Sequence, residues 1–338
     1  MKYTDIDFND KTILITGGAG FIGSSLAFYF QEHYPEATVV VFDSFRSGET
    51  FSNGNLKSFG HFKNLLGFKG FVISGDINDA QALRSLEENH SFDYIFHQAA
   101  ISDTTVAEQD LMIKTNVNAY EDLLKIAIKH GANMIYASSG ATYGDSDRFE
   151  VGYEQPNNAY GFSKVMMDNI TTAYLKKGVD IDIVGLKYFN VYGQREFFKN
   201  TTASMVVQFG HQILARKTPR LFEGSDKILR DFIYIEDVIQ ANIKACSPKK
   251  SGVYNVGTGK ARSFEDIVNI LQKELDIDNG KEYIPNPFVG QYQFFTQANI
   301  ETTKEALGYL PRFEMEEGIK AYIPEIKDLF ETEVTHAK

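Results

Sequence analysis

The stretch "ILITGGAGFIGSS", residues 13–25, decides the fold of this chain. A short apolar run leads directly into three spaced glycines, Gly17, Gly20 and Gly23, and a segment of helical length follows. Glycine permits a tight turn, lets the backbone approach a pyrophosphate and leaves room for a helix to pack closely on a strand. The N–H groups at the start of such a helix attract phosphates. The motif therefore predicts a strand, a phosphate-binding turn and a helix, although the motif alone leaves a purely structural turn open.

Further apolar runs alternate with segments of helical length as far as Tyr188; they are "TVVVFD", "FVISGD", "YIFHQA", "MIYASS" and "DIVGLKY". Runs that are apolar throughout are typical of strands covered on both faces. The alternation predicts an α/β fold with a Rossmann-type doubly wound parallel sheet. We assign residues 1–189 to this dinucleotide-binding domain. Residues 190–338 should mainly form a smaller C-terminal α/β substrate lobe, with the chain free to cross back. Residues 44–67 predict a long loop, and loops of this length are often functional.

The composition of the 338-residue chain excludes several classes of protein. A net charge of −11 argues against attraction to nucleic acid or to an anionic membrane surface. No apolar run approaches the roughly 20 residues that a membrane-spanning helix needs. The single cysteine, Cys246, cannot form an internal disulfide, and the scattered histidines lack the spacing of metal ligands. We therefore expect a cytoplasmic protein without metal, nucleic-acid partner or membrane attachment.

Acidic and basic residues after the next two strands indicate how a dinucleotide would be held. Asp43 ends "VVVFD", where an acidic side chain accepts hydrogen bonds from the adenosine ribose. Arg46 follows, and a guanidinium pairs well with a 2′-phosphate. Asp43 alone favours NAD, whereas Asp43 with Arg46 leaves NADP open. Asp76, in "GDIND", is placed to reach adenine, but helix capping by Asp76 or Asp79 is an equally good interpretation.

Tyr160 and Lys164 lie four residues apart in "NNAYGFSK", residues 157–164, which predicts the first turn of a helix. Side chains at this separation are neighbours on one helical face. An ammonium near the phenol lowers its pKa and makes Tyr160 usable as a general base near neutral pH. Taken alone, a surface tyrosine beside a solvated lysine is the simpler interpretation.

The order and spacing of "TGGAGFIG", "HQAA", "ASSGATYG" and the Tyr160–Lys164 pair resemble the extended short-chain dehydrogenase/reductase family, and the resemblance covers nearly the whole chain. It implies a nicotinamide cofactor, a nucleotide-sugar substrate and a catalytic set of Ser139, Tyr160 and Lys164. Ser139 would hydrogen-bond the reacting sugar oxygen, although capping a turn is its other interpretation. Tyr160 would exchange the alcohol proton. Lys164 would bind the nicotinamide ribose and lower the phenol pKa.

Within that family, nucleotide-sugar 4,6-dehydratases carry an Asp-Glu pair shortly after the equivalent serine. Gly140 and Ala141 stand here instead and cannot perform acid–base work. The segments "KYFNVYGQREFFKN", "LFEGSDKILRDFIYIED" and "GQYQFFTQAN" resemble the ADP-L-glycero-D-manno-heptose 6-epimerases, with Lys187, Gln194 and Gln291 as departures from their pattern. This resemblance implies epimerisation at C6 of ADP-D-glycero-D-manno-heptose, by transient oxidation to a ketone and return of hydride to the opposite face.

The same resemblance gives Lys199 a role in proton transfer. The ketone must turn before hydride returns, so its oxygen occupies two places; Tyr160 would serve one orientation and Lys199 the other. A lysine in a partly desolvated pocket has a lowered pKa, which suits this role. A phosphate-binding or solvated lysine beside Arg195 is the other interpretation.

The resemblance also implies two sets of contacts. Further cofactor contacts are expected at Phe21, Ile22, Ser44, Ile77, Gln98, Ala99, Ala100, Asn116 and Val191. Substrate contacts are expected at Ser102, Asn190, Thr201, Gln208, Phe222, Glu223, Gly224, Ser225, Arg230 and Tyr292. Asn190 suits sugar or phosphate oxygens and Arg230 suits a pyrophosphate, while residues 222–225 would wrap the base and Tyr292 would cover the sugar. Pairing of Arg230 with Asp226 or Asp231, and packing of Phe222 in the core, stay open.

Two other functions compete with this interpretation. One is a 4-epimerase that acts on a UDP- or GDP-sugar, an activity for which family members manage with one tyrosine and need no counterpart of Lys199. The other is a regulatory protein that senses the nicotinamide redox state without catalysis, and the presence of Ser139, Tyr160 and Lys164 disfavours it. The family further implies homo-oligomers and a product that enters a lipopolysaccharide core.

Overall fold

The computed structural model describes residues 1–285 and 294–336, so Tyr292 and Gln291 lie outside the described residues. Its strands are β1 (Thr12–Thr16), β2 (Thr38–Asp43), β3 (Phe71–Ser74), β4 (Tyr94–His97), β5 (Asn133–Ser139), β6 (Ile183–Tyr188), β7 (Asn190–Tyr192), β8 (Arg220–Phe222), β9 (Leu229–Tyr234), β10 (Gly252–Val256), β11 (Ala261–Ser263) and β12 (Glu282–Ile284). Its α-helices are α1 (Phe21–His33), α2 (Ala80–Asn89), α3 (Gln109–Ile113), α4 (Ala119–His130), α5 (Ala159–Lys176), α6 (Met205–Leu214), α7 (Ile235–Lys244), α8 (Phe264–Leu275), α9 (Glu301–Leu307) and α10 (Met315–Leu329).

The central sheet has seven parallel strands in the order β10-β6-β5-β4-β1-β2-β3. Alternate residues of its strands face two separate cores. Ile13 and Ile15 pack with residues of α1 and α7, whereas Leu14 packs with residues of α2 and α4. Because successive side chains of a strand point to opposite faces, helices must cover both faces, and every position of the strand must be apolar. The predicted α/β fold with a Rossmann-type sheet is confirmed.

The carboxyl ends of the central strands meet at one edge of the sheet. Thr16 pairs with Phe42 of β2 and with His97 of β4, and His97 pairs with Tyr136 of β5. The loops that follow these strands therefore start side by side. Open α/β sheets bind their ligands at this edge.

The second half of the chain returns to the central sheet. β10 lies in the region predicted as the smaller lobe, yet it pairs in parallel with β6, with Gly252 opposite Val184. Two small sheets, β11-β9-β7 and β12-β8, and the mutually packed helices α6, α8 and α10 form the rest of that region. The helix predicted in "SFEDIVNILQKELD" is α8, which begins with a capping box of Ser263 and Asp266.

The described residues contain neither a helix that could span a membrane nor a cluster of metal ligands. Within residues 1–285 and 294–336, no helix combines the length and the apolar character needed to cross a bilayer. The same residues contain no group of three or more His, Cys, Asp or Glu side chains placed to hold a metal ion. Cys246 is a buried free thiol.

A buried ion pair supports the carboxyl end of the sheet. The Lys187 ammonium, on β6, is completely buried and lies 2.6 Å from the carboxylate of Asp168 on α5. It also donates to the Thr142 hydroxyl at 2.8 Å and lies 3.2 Å from the carboxylate of Glu154. Thr142 in turn donates to the carbonyl of Ser139, at 2.8 Å. Lys187, which the sequence showed as a departure, thus ties β6, α5 and the end of β5 together.

We expect Lys187→Met to lower the free energy of unfolding by about 3–5 kcal/mol, because it leaves the Asp168 carboxylate buried without its cation. Urea denaturation of both proteins measures this difference. In the double variant Lys187→Met, Asp168→Asn, the loss should be smaller than the sum of the two single losses. A loss below about 1 kcal/mol for Lys187→Met would show that this pair does not stabilise the sheet.

Candidate active site

One cavity of about 500 Å³ lies at the carboxyl ends of the central strands. It brings together most of the residues predicted for the cofactor and for catalysis. These are Gly17, Gly20, Phe21, Ile22, Gly23, Asp43, Ser44, Asp76, Ile77, Gln98, Ala99, Ala100, Ser102, Ser139, Tyr160, Lys164, Val191 and Lys199. The residues come from eight separate parts of the chain, so their meeting follows from the topology and not from local sequence.

The glycine turn fits a pyrophosphate. Gly17 has a φ of +67°, and a Cβ there would lie 2.7 Å from the Ala99 nitrogen. A Cβ on Gly23 would lie 2.3 Å from the Gly17 carbonyl oxygen. Helix α1 starts after Gly20, and within the described part of the chain no side chain caps it and no acidic residue stands in its first turn. Its first N–H groups and the positive end of its dipole are therefore available to an anion.

Asp43 lies at the end of the cavity that is predicted to bind the cofactor. Its buried carboxylate accepts from the Ala19 nitrogen at 3.0 Å and from the Phe45 nitrogen at 2.8 Å. Burial raises the pKa of Asp43, and these two hydrogen bonds oppose the rise. The carboxylate thus fixes the glycine turn to the loop after β2. Its contact with a ribose stays a prediction.

Arg46 does not take the place predicted for it. Its guanidinium donates to the Phe198 carbonyl, and Arg46 is not among the residues that line the cavity. The cation in this part of the wall is Lys57, which the sequence analysis missed; its ammonium lies 3.1 Å from the Glu49 carboxylate, and its side chain is 42% exposed. Lys57 belongs to the predicted loop 44–67, and that loop was the only signal that could have found it. Asp79, and not Asp76, caps α2.

Ser139 and Tyr160 meet at the end of β5. The Ser139 hydroxyl accepts from the Ala141 nitrogen at 3.1 Å, so Ser139 does cap a 3₁₀ turn. Burial raises the pKa of Tyr160, and the neighbouring Ser139 side chain opposes that rise only in part.

Lys164 lies one helical turn after Tyr160. Its ammonium donates to the Ala137 carbonyl at 2.7 Å and lies 5.8 Å from the centre of the Tyr160 ring. Burial lowers the pKa of Lys164 to about 8, against the opposing charge of Asp168. Ser139 is the neighbour that opposes the rise in the phenol pKa. The ammonium is directed to a backbone carbonyl, and the lowering of the phenol pKa by Lys164 stays a prediction.

Asn116, a predicted cofactor contact, does not line the cavity and is completely buried. It lies in a π-helical segment, Lys114–Asn118, between α3 and α4. Its amide donates to the Ile101 carbonyl and to the Ser163 hydroxyl, both at 3.0 Å, and accepts from the Ile101 nitrogen at 2.8 Å. Because these bonds occupy the side chain, Asn116 fixes the loop after β4 against α5 and cannot offer its amide to a cofactor.

Lys199 reaches the cavity from a different element. It lies in a 3₁₀ segment, Phe197–Thr202, in which Asn200 has a φ of +55°. The ammonium is partly buried and lies 6.0 Å from the centre of the Phe21 ring. Burial lowers the pKa of Lys199, while the nearby Glu196 carboxylate raises it. The structure thus places a lysine from a separate segment in the cavity that holds Tyr160.

The other predicted substrate residues that the structure describes lie outside this cavity wall. The Asn190 amide donates to the Asp231 carbonyl at 3.1 Å. Thr201 donates to the Asn55 side chain at 3.2 Å, and Gln208 donates to the Ala203 carbonyl at 2.6 Å. These three contacts hold segments of the smaller lobe in place, and substrate binding by these residues stays a prediction.

Residues 222–225 follow β8 and form a turn in which Gly224 has a φ of +78°. Ser225 is buried, and its hydroxyl finds no hydrogen-bond partner among the described residues. Arg230, on β9, is 8% exposed, and its guanidinium donates to the Leu229 carbonyl at 3.0 Å. Asp231, one of its proposed partners, accepts from backbone N–H groups and from the Thr258 hydroxyl.

The loop 44–67 closes one side of the cavity through contacts that the sequence analysis missed. Asn53 and Asn55 donate to the Asp103 carboxylate at 2.9 and 2.7 Å. Phe51 is buried in a small cluster against which Tyr160 packs. The sequence predicted the loop, but its pairing with Asp103 is not local in sequence.

Comparisons with known proteins agree with this geometry. The model of the NAD-dependent epimerase/dehydratase family matches residues 13–257. The chain is 35% identical over 322 residues to the ADP-L-glycero-D-manno-heptose-6-epimerase of Brachyspira hyodysenteriae, covering 92% of this chain and 96% of that protein.

Solved structures extend the likeness. The ADP-L-glycero-D-manno-heptose-6-epimerase of Helicobacter pylori superposes with a TM-score of 0.88 at 52% identity, covering 97% of this chain and 99% of that one. A UDP-glucose 4-epimerase of Thermotoga maritima, solved with UDP-glucose, has a TM-score of 0.82 at 27% identity, covering 94% and 99%.

Proposed function

The chain belongs to the NAD-dependent epimerase/dehydratase family, and we propose that it is an isomerase that inverts C6 of the heptose in ADP-D-glycero-D-manno-heptose to give the L-glycero epimer. The observation that carries this proposal is the meeting of two groups in one cavity: Tyr160, with Ser139 and Lys164, and Lys199 from a separate turn. Two proteins that bear the name of this activity match nearly the full length of the chain. Gly140 and Ala141 offer no acid–base group for a dehydration.

The residues of the cavity fit a nicotinamide dinucleotide. The backbone at Gly17 and the open N-terminus of α1 would hold its pyrophosphate, and Lys164 would hold the hydroxyls of the nicotinamide ribose. When bound, this group supplies the hydride acceptor and donor for the C6 carbon. Its presence also adds a positive charge beside Tyr160, and a positive charge lowers a phenol pKa.

Inversion at C6 needs proton transfer at two positions of the sugar oxygen. Oxidation needs a group that takes the hydroxyl proton, and reduction of the opposite face needs a group that gives one back. Tyr160 and Lys199 enter the cavity from α5 and from the turn after β7, so each can serve one orientation of the substrate. Burial lowers the pKa of Lys199, so a larger fraction of its amine is in the neutral form that can accept a proton near neutral pH.

NADP is the cofactor that we propose, on the strength of Lys57. Lys57 lines the same cavity as Ser44, which follows Asp43 at the end of β2. A 2′-phosphate on the adenosine ribose would replace Glu49 as the partner of the Lys57 ammonium. The cytoplasmic location, the homo-oligomeric state and the supply of a lipopolysaccharide core stay predictions.

We expect Lys57→Met to weaken NADP binding roughly 10- to 100-fold, the worth of one hydrogen bond to a charged group, and to leave NAD binding unchanged. Isothermal titration calorimetry with each dinucleotide measures the two Kd values. Lys63→Met removes a lysine of the same loop that does not line the cavity and serves as the control. Equal losses for both dinucleotides would remove Lys57 from the recognition of a 2′-phosphate.

The proposed reaction is tested by proton NMR of the purified protein with ADP-D-glycero-D-manno-heptose, without added cofactor. We expect conversion to a mixture of the two C6 epimers, and Tyr160→Phe should slow it about 10²- to 10⁴-fold. Tyr153→Phe, at an exposed tyrosine, is the control. No conversion by folded, cofactor-loaded protein would contradict the proposal, and 4-epimerisation of UDP-glucose would be assayed next.

We expect Lys199→Met to lower kcat about 10²- to 10⁴-fold with little change in KM, because the lost group acts in proton transfer. Steady-state kinetics by the same NMR assay separates the two constants. Lys217→Met removes an exposed lysine and should behave as the wild type. A change confined to KM would assign Lys199 to substrate binding.

A further inference from the structure

The turn that carries Lys199 is held by one buried carboxylate. Glu196 is 1% exposed, and it accepts from the Gly193 nitrogen at 3.2 Å, the Ser204 nitrogen at 2.8 Å and the Ser204 hydroxyl at 2.7 Å. Gly193 precedes the turn and Ser204 follows it, and Lys199 lies between these two residues in the sequence. The backbone nitrogen of Lys199 also donates to the backbone carbonyl of Glu196, at 2.9 Å. A single side chain therefore closes the segment into a loop.

The backbone of this loop does not form unaided. Arg195 and Asn200 have φ values of +75° and +55°, a conformation that is unfavourable for a residue other than glycine. Such residues persist only where the surroundings fix them. The hydrogen bonds of Glu196, and that of the Arg195 nitrogen to the Glu325 carboxylate at 2.7 Å, are the contacts that do so. They hold both flanks of Lys199.

The Glu196 carboxylate also acts on Lys199 through its charge. Burial lowers the pKa of Lys199, and Glu196 is the neighbour that raises it. Tyr192 of β7 and Tyr322 of α10 interact with the Glu196 carboxylate, and Tyr322 also interacts with the charge of Glu325. These tyrosines are neutral near pH 7, since burial raises their pKa values well above the ordinary range.

The centre of the Phe21 ring on α1 lies 6.0 Å from the Lys199 ammonium and carries no charge, and Tyr160 on α5 lines the same cavity. Among the described residues, Glu196 is the charged neighbour that raises the pKa of the amine.

We infer that Glu196 is a positioning residue that holds Lys199 at the wall of the cavity and balances its charge. This inference rests on the proposed function, in which Lys199 transfers a proton. It assigns to the buried carboxylate a role in turnover, besides its role in the loop.

The test is the pH dependence of kcat for wild type, Glu196→Gln and Glu196→Asp. The assay is run from each heptose epimer in turn, because Lys199 accepts the proton in one direction and returns it in the other; the profile is read in the direction in which it accepts the proton. Turnover then rises with pH as the ammonium loses its proton. Removal of the negative charge favours the neutral amine, so the rise in Glu196→Gln should move to lower pH. The kcat should fall roughly 10- to 100-fold through displacement of Lys199, with KM changed less than about threefold.

Two further variants separate charge from architecture. Glu196→Asp keeps the charge but shortens the side chain, so its pH profile should match the wild type while kcat stays lower. Glu325→Gln removes a carboxylate that holds the same turn at Arg195, and it should not move the profile.

A fall of kcat in Glu196→Gln without movement of the profile would overturn the inference and leave Glu196 a purely structural residue. If Glu196→Gln does not fold, a wild-type kcat in Glu196→Asp overturns it equally. These failures differ from failure of the proposed function, in which Lys199→Met would itself turn over at the wild-type rate.

Discussion

The close approach of the backbone at Gly17 and at Gly23 is the constraint on which the rest of the structure depends. With no Cβ at either position, α1 starts directly against the end of β1, and the turn lies against Ala99 after β4. This approach aims the start of a helix at the edge where four strands end. Any larger side chain would displace the helix, and with it the wall that an anion must reach. The cavity is a consequence of the sheet, and the glycines allow its walls to come together.

Burial sets the chemistry of the groups that line this cavity. It raises the pKa of Tyr160 and lowers the pKa values of Lys164 and Lys199, because a low-dielectric surrounding disfavours each charged form. His97, beneath them, has a pKa of about 3 and is neutral. Burial therefore drives the pKa of the phenol upward and the pKa values of the two ammonium groups downward, so the phenol holds its proton more firmly than the amines do. Ser139 then opposes the rise in the pKa of Tyr160, and Glu196 opposes the fall in the pKa of Lys199.

Local patterns in the sequence predicted much of this, and distant pairings did not. The apolar runs identified β1, β2, β4, β5 and β6 because a strand buried on both faces must be apolar throughout. The apolar run of β3 was identified as well, although β3 is an edge strand in which Phe71 and Val72 are exposed. Nothing in "GVYNVG" shows that it pairs with β6, since its partner lies far away in the chain. Asn116 was assigned to the cofactor because its type suits a ligand, but its amide is taken up by Ile101 and Ser163. The direction of Arg46 depends on the tertiary contact with Phe198, which no spacing reveals.

Asn55 has a consequence for how the protein keeps what it binds. Its side chain donates to Asp103 beside the mouth of the cavity and accepts from Thr201, two residues after Lys199. If the loop 44–67 moved away to release a bound dinucleotide, the link to the Lys199 segment would break at the same moment. Departure and turnover would then exclude each other. An epimerisation consumes no reducing equivalents overall, so a protein built in this way can work through many cycles on one captive molecule, sheltered from the redox balance of its surroundings.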